Sequence, residues 1–260
     1  MRLAICSAQA KKETEITMKE VDYSKYQDKE SKAWKELLDY IDEVATEEIE
    51  DFDPRIGIGF ENFKEIIVLP KSIKKLKKVK RMWLYGSSLK LIPPEIGEME
   101  SLELFDPYTS YDLKWFPYEI TNCKKLRASR ISTRALLGNY KNRKPFPSLE
   151  ENLIKYSGEQ LNCSICKKEI SYSTTNQMWI TINVGTDPIP MLINLCSNEC
   201  GEKLPLGEGN YLEFAHKGGK DLKQPPQAWN TGVKQNEEDV DFMRNVMTEY
   251  FTKLRNENKA

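Results

Sequence analysis

Between Ile56 and Leu137, apolar residues return with a period of 23 to 24. That period matches neither the turn of a helix nor the alternation of a strand. Val79, Met82, Leu84, Leu89, Ile92-Pro93 and Ile96 are followed by Leu102, Phe105, Pro107, Leu113, Phe116-Pro117 and Ile120. A third unit supplies Leu126, Ser129, Ile131 and Leu136, then departs through Gly138-Asn139-Tyr140 to a displaced Phe146-Pro147. Upstream, Ile56, Ile66, Leu69-Pro70 and Ile73 make a degenerate first unit.

The flanks carry ordinary periodicities. From Ser31, the residues Trp34, Leu37, Leu38, Ile41, Val44 and Ile49 recur at helical steps, which predicts an amphipathic helix ending before Asp53-Pro54. A second such helix is predicted from Val240, Met243, Val246, Met247, Tyr250, Phe251 and Leu254, after the acidic turn Glu237-Glu238-Asp239. Met178 to Val184 and Pro190 to Leu195 read as two strands joined by a Gly-Thr-Asp-Pro turn. Leu222 to Pro226 suits an extended strap. The first 28 residues are polar with little periodicity and predict no firm structure.

The repeat spacings of 3, 2, then 5 or 6, and finally 3 to an apolar-Pro step resemble the leucine-rich repeat family. The resemblance covers roughly a third of the chain. It departs from the family where Ser87, Ser110 and Arg134 take the usual turn asparagine, and where Pro107 and Ser129 stand for leucine. It implies a short leucine-rich repeat solenoid of parallel strands, and with its flanks the fold expected is α+β: an N-terminal capping helix, the solenoid, a C-terminal β-hairpin module whose four cysteines, described below, are read as zinc-binding, and a terminal helix. The expected divisions are a polar extension over 1–30, a capping helix over 31–55, the repeat block over 56–153, the zinc module over 154–205, and a strap with amphipathic helix over 206–260.

Strand alternation assigns faces within that fold. Met82 and Leu84 point inward, whereas Arg81, Trp83 and Tyr85 reach the concave surface. The next units present Leu104, Asp106 and Tyr108, then Ala128, Arg130 and Ser132. Aromatics beside arginine have the composition of interaction hot spots, so Trp83, Tyr85, Asp106, Tyr108, Arg130 and Ser132 are the candidate partner-binding residues. An exposed aromatic cluster must be covered by something, and the chain's own tail is the other candidate.

Charge changes this picture little. The 39 basic and 40 acidic side chains nearly cancel, so no global field draws the molecule to nucleic acid or an anionic membrane. With 30% charged residues and no apolar run near 18 residues, a soluble protein without a membrane span is expected. The amino terminus is too short in apolar residues for a secretory signal, and a cytoplasmic location is the expectation. Two basic sets, Lys71 to Arg81 and Arg127 to Lys144, could contact phosphates with Tyr140 and Phe146 stacking on bases. A nucleic-acid-binding protein is therefore the alternative reading.

Cysteine supplies the sharpest chemistry. Cys163 and Cys166 are followed, after a 29-residue interval, by Cys196 and Cys200. Two close pairs can place four thiolates around one ion, which predicts a structural Zn2+. Disulfides and an iron–sulfur cluster are the alternatives. The order of knuckle, hairpin and cysteine pair entering a helix resembles the treble-clef zinc fingers, and Leu195 to Cys200 resembles the ending of the MYM fingers. Cys6 and Cys123 lie outside this set, Cys123 at a repeat core position matching Met99.

No catalytic constellation emerges. The single histidine, His216, excludes a two-histidine protease helix, and neither Cys6 nor Cys123 carries a nucleophile motif. Gly57-Ile58-Gly59 lacks a third glycine, and Gly218-Gly219-Lys220 is followed by Asp221, so neither makes a phosphate loop. The sequence thus predicts a non-enzymatic interaction protein that takes a protein partner at the concave face.

Overall fold

A computed structural model describes residues 19–228 and 236–257. Cys6 and most of the polar 1–30 extension lie outside the described residues. The described residues begin with β1 (Lys19–Asp22) and then α1 (Lys32–Thr46). Ser31 caps α1 by accepting the Trp34 N–H at 3.1 Å, and the helix buries Ala33, Trp34, Leu37, Ile41 and Val44. It stops at Thr46, short of Asp53, because Glu48 turns left-handed at φ 54°. The segment expected to finish the capping helix instead supplies β2 (Asp51–Phe52).

Two short helices follow, α2 (Pro54–Gly57) and α3 (Phe60–Lys64). Asp53 caps α2 and Pro54 occupies its first turn, where a missing N–H costs nothing. This corrects the first repeat unit: Ile56 is 58% exposed on α2 and is not a core position. Ile66, Leu69 and Ile73 are buried as expected.

From here strand and return alternate. β3 (Arg81–Trp83), β4 (Leu104–Asp106) and β6 (Ala128–Ser129) join β2 in a four-stranded parallel sheet of order β2-β3-β4-β6. The 3-10 segments Lys71–Lys75, Pro94–Glu98 and Tyr118–Asn122 run beside one another, each entered through an extended proline, Pro70, Pro93 or Pro117. They bury Ile73, Ile96 and Ile120 and end on the core residues Leu76, Met99 and Cys123. The Cys123 thiol donates to the Ile96 carbonyl, and burial pushes its pKa up to about 12, so it is an inert packing group. Serines hydrogen-bond across successive turns. Ser87 and Ser110 hydroxyls lie 2.7 Å apart, and Ser132 Oγ accepts the Thr109 N–H at 2.9 Å.

The carboxyl-terminal half adds β5 (Phe116–Pro117), β7 (Asn152–Lys155), β8 (Gln160–Asn162), β9 (Glu169–Ser171), β10 (Asn176–Val184) and β11 (Asp187–Leu195). The β10-β11 hairpin turns tightly, with Val184 opposite Asp187, so the turn is Gly185-Thr186 and Asp187-Pro188 already belong to β11. Gly185 is required there: its φ is 61°, and a side chain would meet the Ala128 backbone. The hairpin tip gives the buried Ser129 its polar partners. Its backbone carbonyl accepts from Thr186 Oγ1, while its hydroxyl reaches the Val184 carbonyl and Asp187.

β11 pairs with β10 on one side and parallel with β5 on the other. β1 pairs parallel with β7. One hydrophobic core therefore runs from Ala33 and Leu37 through Phe105 and Phe116 to Trp179, Met191 and Cys200. Two helices complete the chain, α4 (Asn198–Gly201) and α5 (Glu237–Glu257). The molecule is a mixed helix-and-sheet protein with parallel strands. Among the described residues, no helix is long and apolar enough to cross a membrane.

Candidate metal centre and sheet face

The loop between β8 and β9 forms a knuckle. The Lys167 N–H donates to the Cys163 carbonyl and the Cys163 N–H to the Lys168 carbonyl, while Lys167 takes φ 64° to close the turn. Ser164 docks this loop on β11: its N–H donates to the Asn194 carbonyl, and its hydroxyl accepts the Asn194 N–H. Opposite, β11 ends at Leu195 and delivers Cys196, while the first turn of α4 delivers Cys200.

All four sulfurs lie within 4.8 Å of one another. Cys166 and Cys196 are 3.5 Å apart, Cys196 and Cys200 3.6 Å. Sulfurs about 2.3 Å from a tetrahedral ion stand about 3.8 Å apart, so the set fits one metal ion. Its spacings exceed the roughly 2.05 Å of a disulfide, and the cysteines are free. Burial opposes ionisation of Cys163, yet the N–H groups of Cys166, Ile165 and Cys196 aim at it and lower its pKa to about 7. Cys196, hydrogen-bonded to Cys166 and Cys200, is pushed up to about 12. Four crowded sulfurs resist becoming thiolates together unless a cation neutralises them.

The second site is the outer face of the parallel sheet. Trp83, Leu104 and Ala128 form a separate apolar cluster there, covered by Phe242, Met243, Val246, Met247 and Tyr250 of α5. The Trp83 and Tyr250 rings stack at 3.9 Å between centroids. Trp83 also donates its indole N–H to Asp51, which receives both arms of Arg81. Burial alone would raise the Asp51 pKa, but Arg81 and the indole hold it below the ordinary value.

The remaining candidates separate into two kinds. Asp106 is fully buried and paired with Arg130 at 2.6 Å. The Arg130 guanidinium lies over Tyr85, Tyr108 and Phe251, at 4.9 Å from the Tyr108 ring. Tyr108 keeps 41% of its surface exposed, whereas Ser132 is held in the turn ladder. The tail that covers Trp83 is thus α5, not the strap. Leu222 to Pro226 runs elsewhere, with Gln224 donating to the carbonyls of Arg143 and Lys144.

Sequence reading missed the anchor at the helix end. Tyr250 Oη donates to Asp53 and accepts from Arg55, an arrangement bridging 197 positions, for which no local signal exists. Arg127 likewise grips Asp239 at 2.7 Å. The first basic set is mostly ion-paired within the chain, Lys71 with Glu95, Lys75 with Asp42, Lys77 with Glu98 and Glu100, Lys80 with Glu50, whereas in the second set Arg127 and Arg130 pair with acids and Arg143 and Lys144 donate to backbone carbonyls. His216 is a packing residue whose ring meets Phe146 edge-on at 4.7 Å, and burial lowers its pKa to about 4. No known protein family and no curated protein matches this sequence.

Proposed function

We propose that this chain is a non-enzymatic interaction protein whose leucine-rich repeat sheet docks an amphipathic helix on its concave face. The observation that carries the reading is the asymmetry of the α5 contact. The sheet buries Trp83, Leu104 and Ala128 beneath α5, yet none of the α5 residues whose burial is described is itself buried. By contrast, α1 buries five side chains. A cavity of about 210 Å3 also remains between α5 and the sheet, lined by Asp51, Arg81, Trp83 and Val246. A shallow, incompletely filled contact rich in Met and aromatics suits an exchangeable helix, which is a recurring recognition mode. In this chain α5 holds the face until a partner helix displaces it.

The ion-paired state of the first basic set, and of Arg127 and Arg130 in the second, favours this reading over nucleic acid, because a cation already neutralised releases fewer counterions on a phosphate. Affinity capture from native lysate tests it. A chain with Val246→Asp and Tyr250→Asp should retain a partner that wild type retains weakly, and adding Trp83→Ala should lose it. Equal capture by all three contradicts the reading.

The metal centre is proposed to hold zinc. Four thiolates suit a soft or borderline ion, fill its coordination sphere, and leave no position for water. Its role is to fix the knuckle to β11 and α4. Purified protein should contain close to one zinc per chain, and Cys163→Ser should lower that content and the folded fraction together. Zinc well below one, or folding indifferent to chelator, overturns the assignment.

A further inference from the structure

A cavity of about 270 Å3 opens between the 3-10 segments at 94–98 and 118–122 and the strands β8 and β9, beside the metal knuckle. Its rim carries the exposed residues Lys71, Gln160, Asn162 and Glu169, and its lining includes the buried residues Glu119, Tyr156 and Tyr172. Five buried side-chain atoms lack a hydrogen-bond partner among the described residues, and three of them belong to this cavity. They are Glu95 Oε2, Glu119 Oε2 and Tyr156 Oη. An unmet buried polar atom costs about 1–3 kcal/mol, so three in one place call for a function.

The unmet demand is for donors. Glu119 Oε1 accepts from Ser164 at 2.7 Å, and its second oxygen is orphaned. Lys71 approaches Glu95 at 3.8 Å on the first oxygen only, and Lys167 donates to the Ser164 carbonyl. Tyr172 Oη accepts the backbone N–H of Tyr156, and the Tyr156 hydroxyl has no partner among the described residues. Burial raises the pKa of both carboxyl groups. Burial favours the neutral form of each, Lys71 and Lys167 of the same lining act the other way, and a cation seated against the two orphaned oxygens would hold both groups ionised. They do not make a metal set: the cysteines alone form such a group among the described residues, and hard ions require six or more oxygens. Pro94, Leu161 and the Tyr156 ring offer apolar surface for a short carbon stem.

We propose that this cavity binds a small organic cation with two or more N–H donors, its charge met by Glu95 and Glu119 and a further hydrogen bond made to the Tyr156 hydroxyl. The site is independent of the sheet face, so it stands whether or not a helix docks there. Calorimetric titration of the full, metal-loaded chain with agmatine tests it. Saturable one-to-one binding is expected, tighter than about 1 mM and weakened at least tenfold by Glu119→Gln and by Glu95→Gln. Tyr156→Phe should weaken it less, and metal content should stay constant throughout. Butylamine should bind detectably and butan-1-ol should not. Should Glu119→Gln fail to fold, Glu95→Gln carries the comparison, because Glu95 is less enclosed. The proposal is overturned by no saturable agmatine binding, by equal binding of butan-1-ol and butylamine, by indifference to the glutamine variants, or by calcium displacing agmatine at the same carboxylates.

Discussion

Trp83 carries two demands in one side chain. Its ring packs in the apolar patch under α5, and its indole N–H reaches Asp51. Trp83→Ala should therefore cost about 3 kcal/mol or more in chemical denaturation, the range for truncating a buried large residue. Tyr250→Phe keeps the stacked ring but removes the hydroxyl between Asp53 and Arg55. It should cost about 1–2 kcal/mol, since the buried Asp53 and the half-buried Arg55 each lose a bond. Asp187 gives a pH signature at the hairpin tip, where burial raises its pKa to about 6. The folded state thus binds this proton more tightly than the unfolded chain. The resulting stability is present in full below about pH 4 and is lost as pH rises through 6, roughly 3 kcal/mol in all. His216, lowered to about 4, acts in the opposite sense: its contribution is present above pH 6.5 and lost as pH falls through 4. Stability of Asp187→Asn measured from pH 4 to 7 should rise relative to wild type as pH increases. A constant difference would contradict the assignment.

At the scale of elements, what could be read in the sequence was what repeats or pairs locally. Pro70, Pro93 and Pro117 mark the entries to the three 3-10 returns, and the apolar positions after them are the buried ones. The two cysteine pairs meet because each sits at the end of a strand of the same small region. The errors fall where tertiary contacts override local pattern. Helical spacing extends past Thr46 through Ile49, but Asp51 and Phe52 gain more by pairing with Arg81 and Met82 than by one further turn. Ser129 looks like a defect in the repeat until the Gly185-Thr186 turn arrives from 57 positions away. The amphipathic stripe of α5 was legible, whereas its seat was not, since nothing local links Tyr250 to Trp83. Limited proteolysis belongs at this scale. Val246→Asp should expose α5 to cleavage while the rest of the chain stays resistant, because α5 contributes no buried residue to the main core.

Across the whole molecule, the sheet β10-β11-β5 joins the cysteine module to the segment that precedes the 3-10 turn at 118–122, so removal of an ion held by the four cysteines should propagate. Ser164 bonds to Asn194, Asn194 to Gln177, and Gln177 to the Ile154 backbone. Through that chain, release of the knuckle unpins β7 and β11 together. On the proposed reading the molecule divides into three working parts, which are a scaffold fixed by the metal centre, a shallow sheet face, and α5 as its resident helix. The most direct test of that division supplies the helix in trans. A labelled peptide of residues 236–257 is titrated into the full-length chain carrying Val246→Asp and Tyr250→Asp, and into wild type, with fluorescence anisotropy as the readout. Saturable binding to the variant, at least tenfold tighter than to wild type, is the result expected of a sheet face that docks exchangeable helices. Absence of binding to the variant, or equal affinity for both chains, would contradict it.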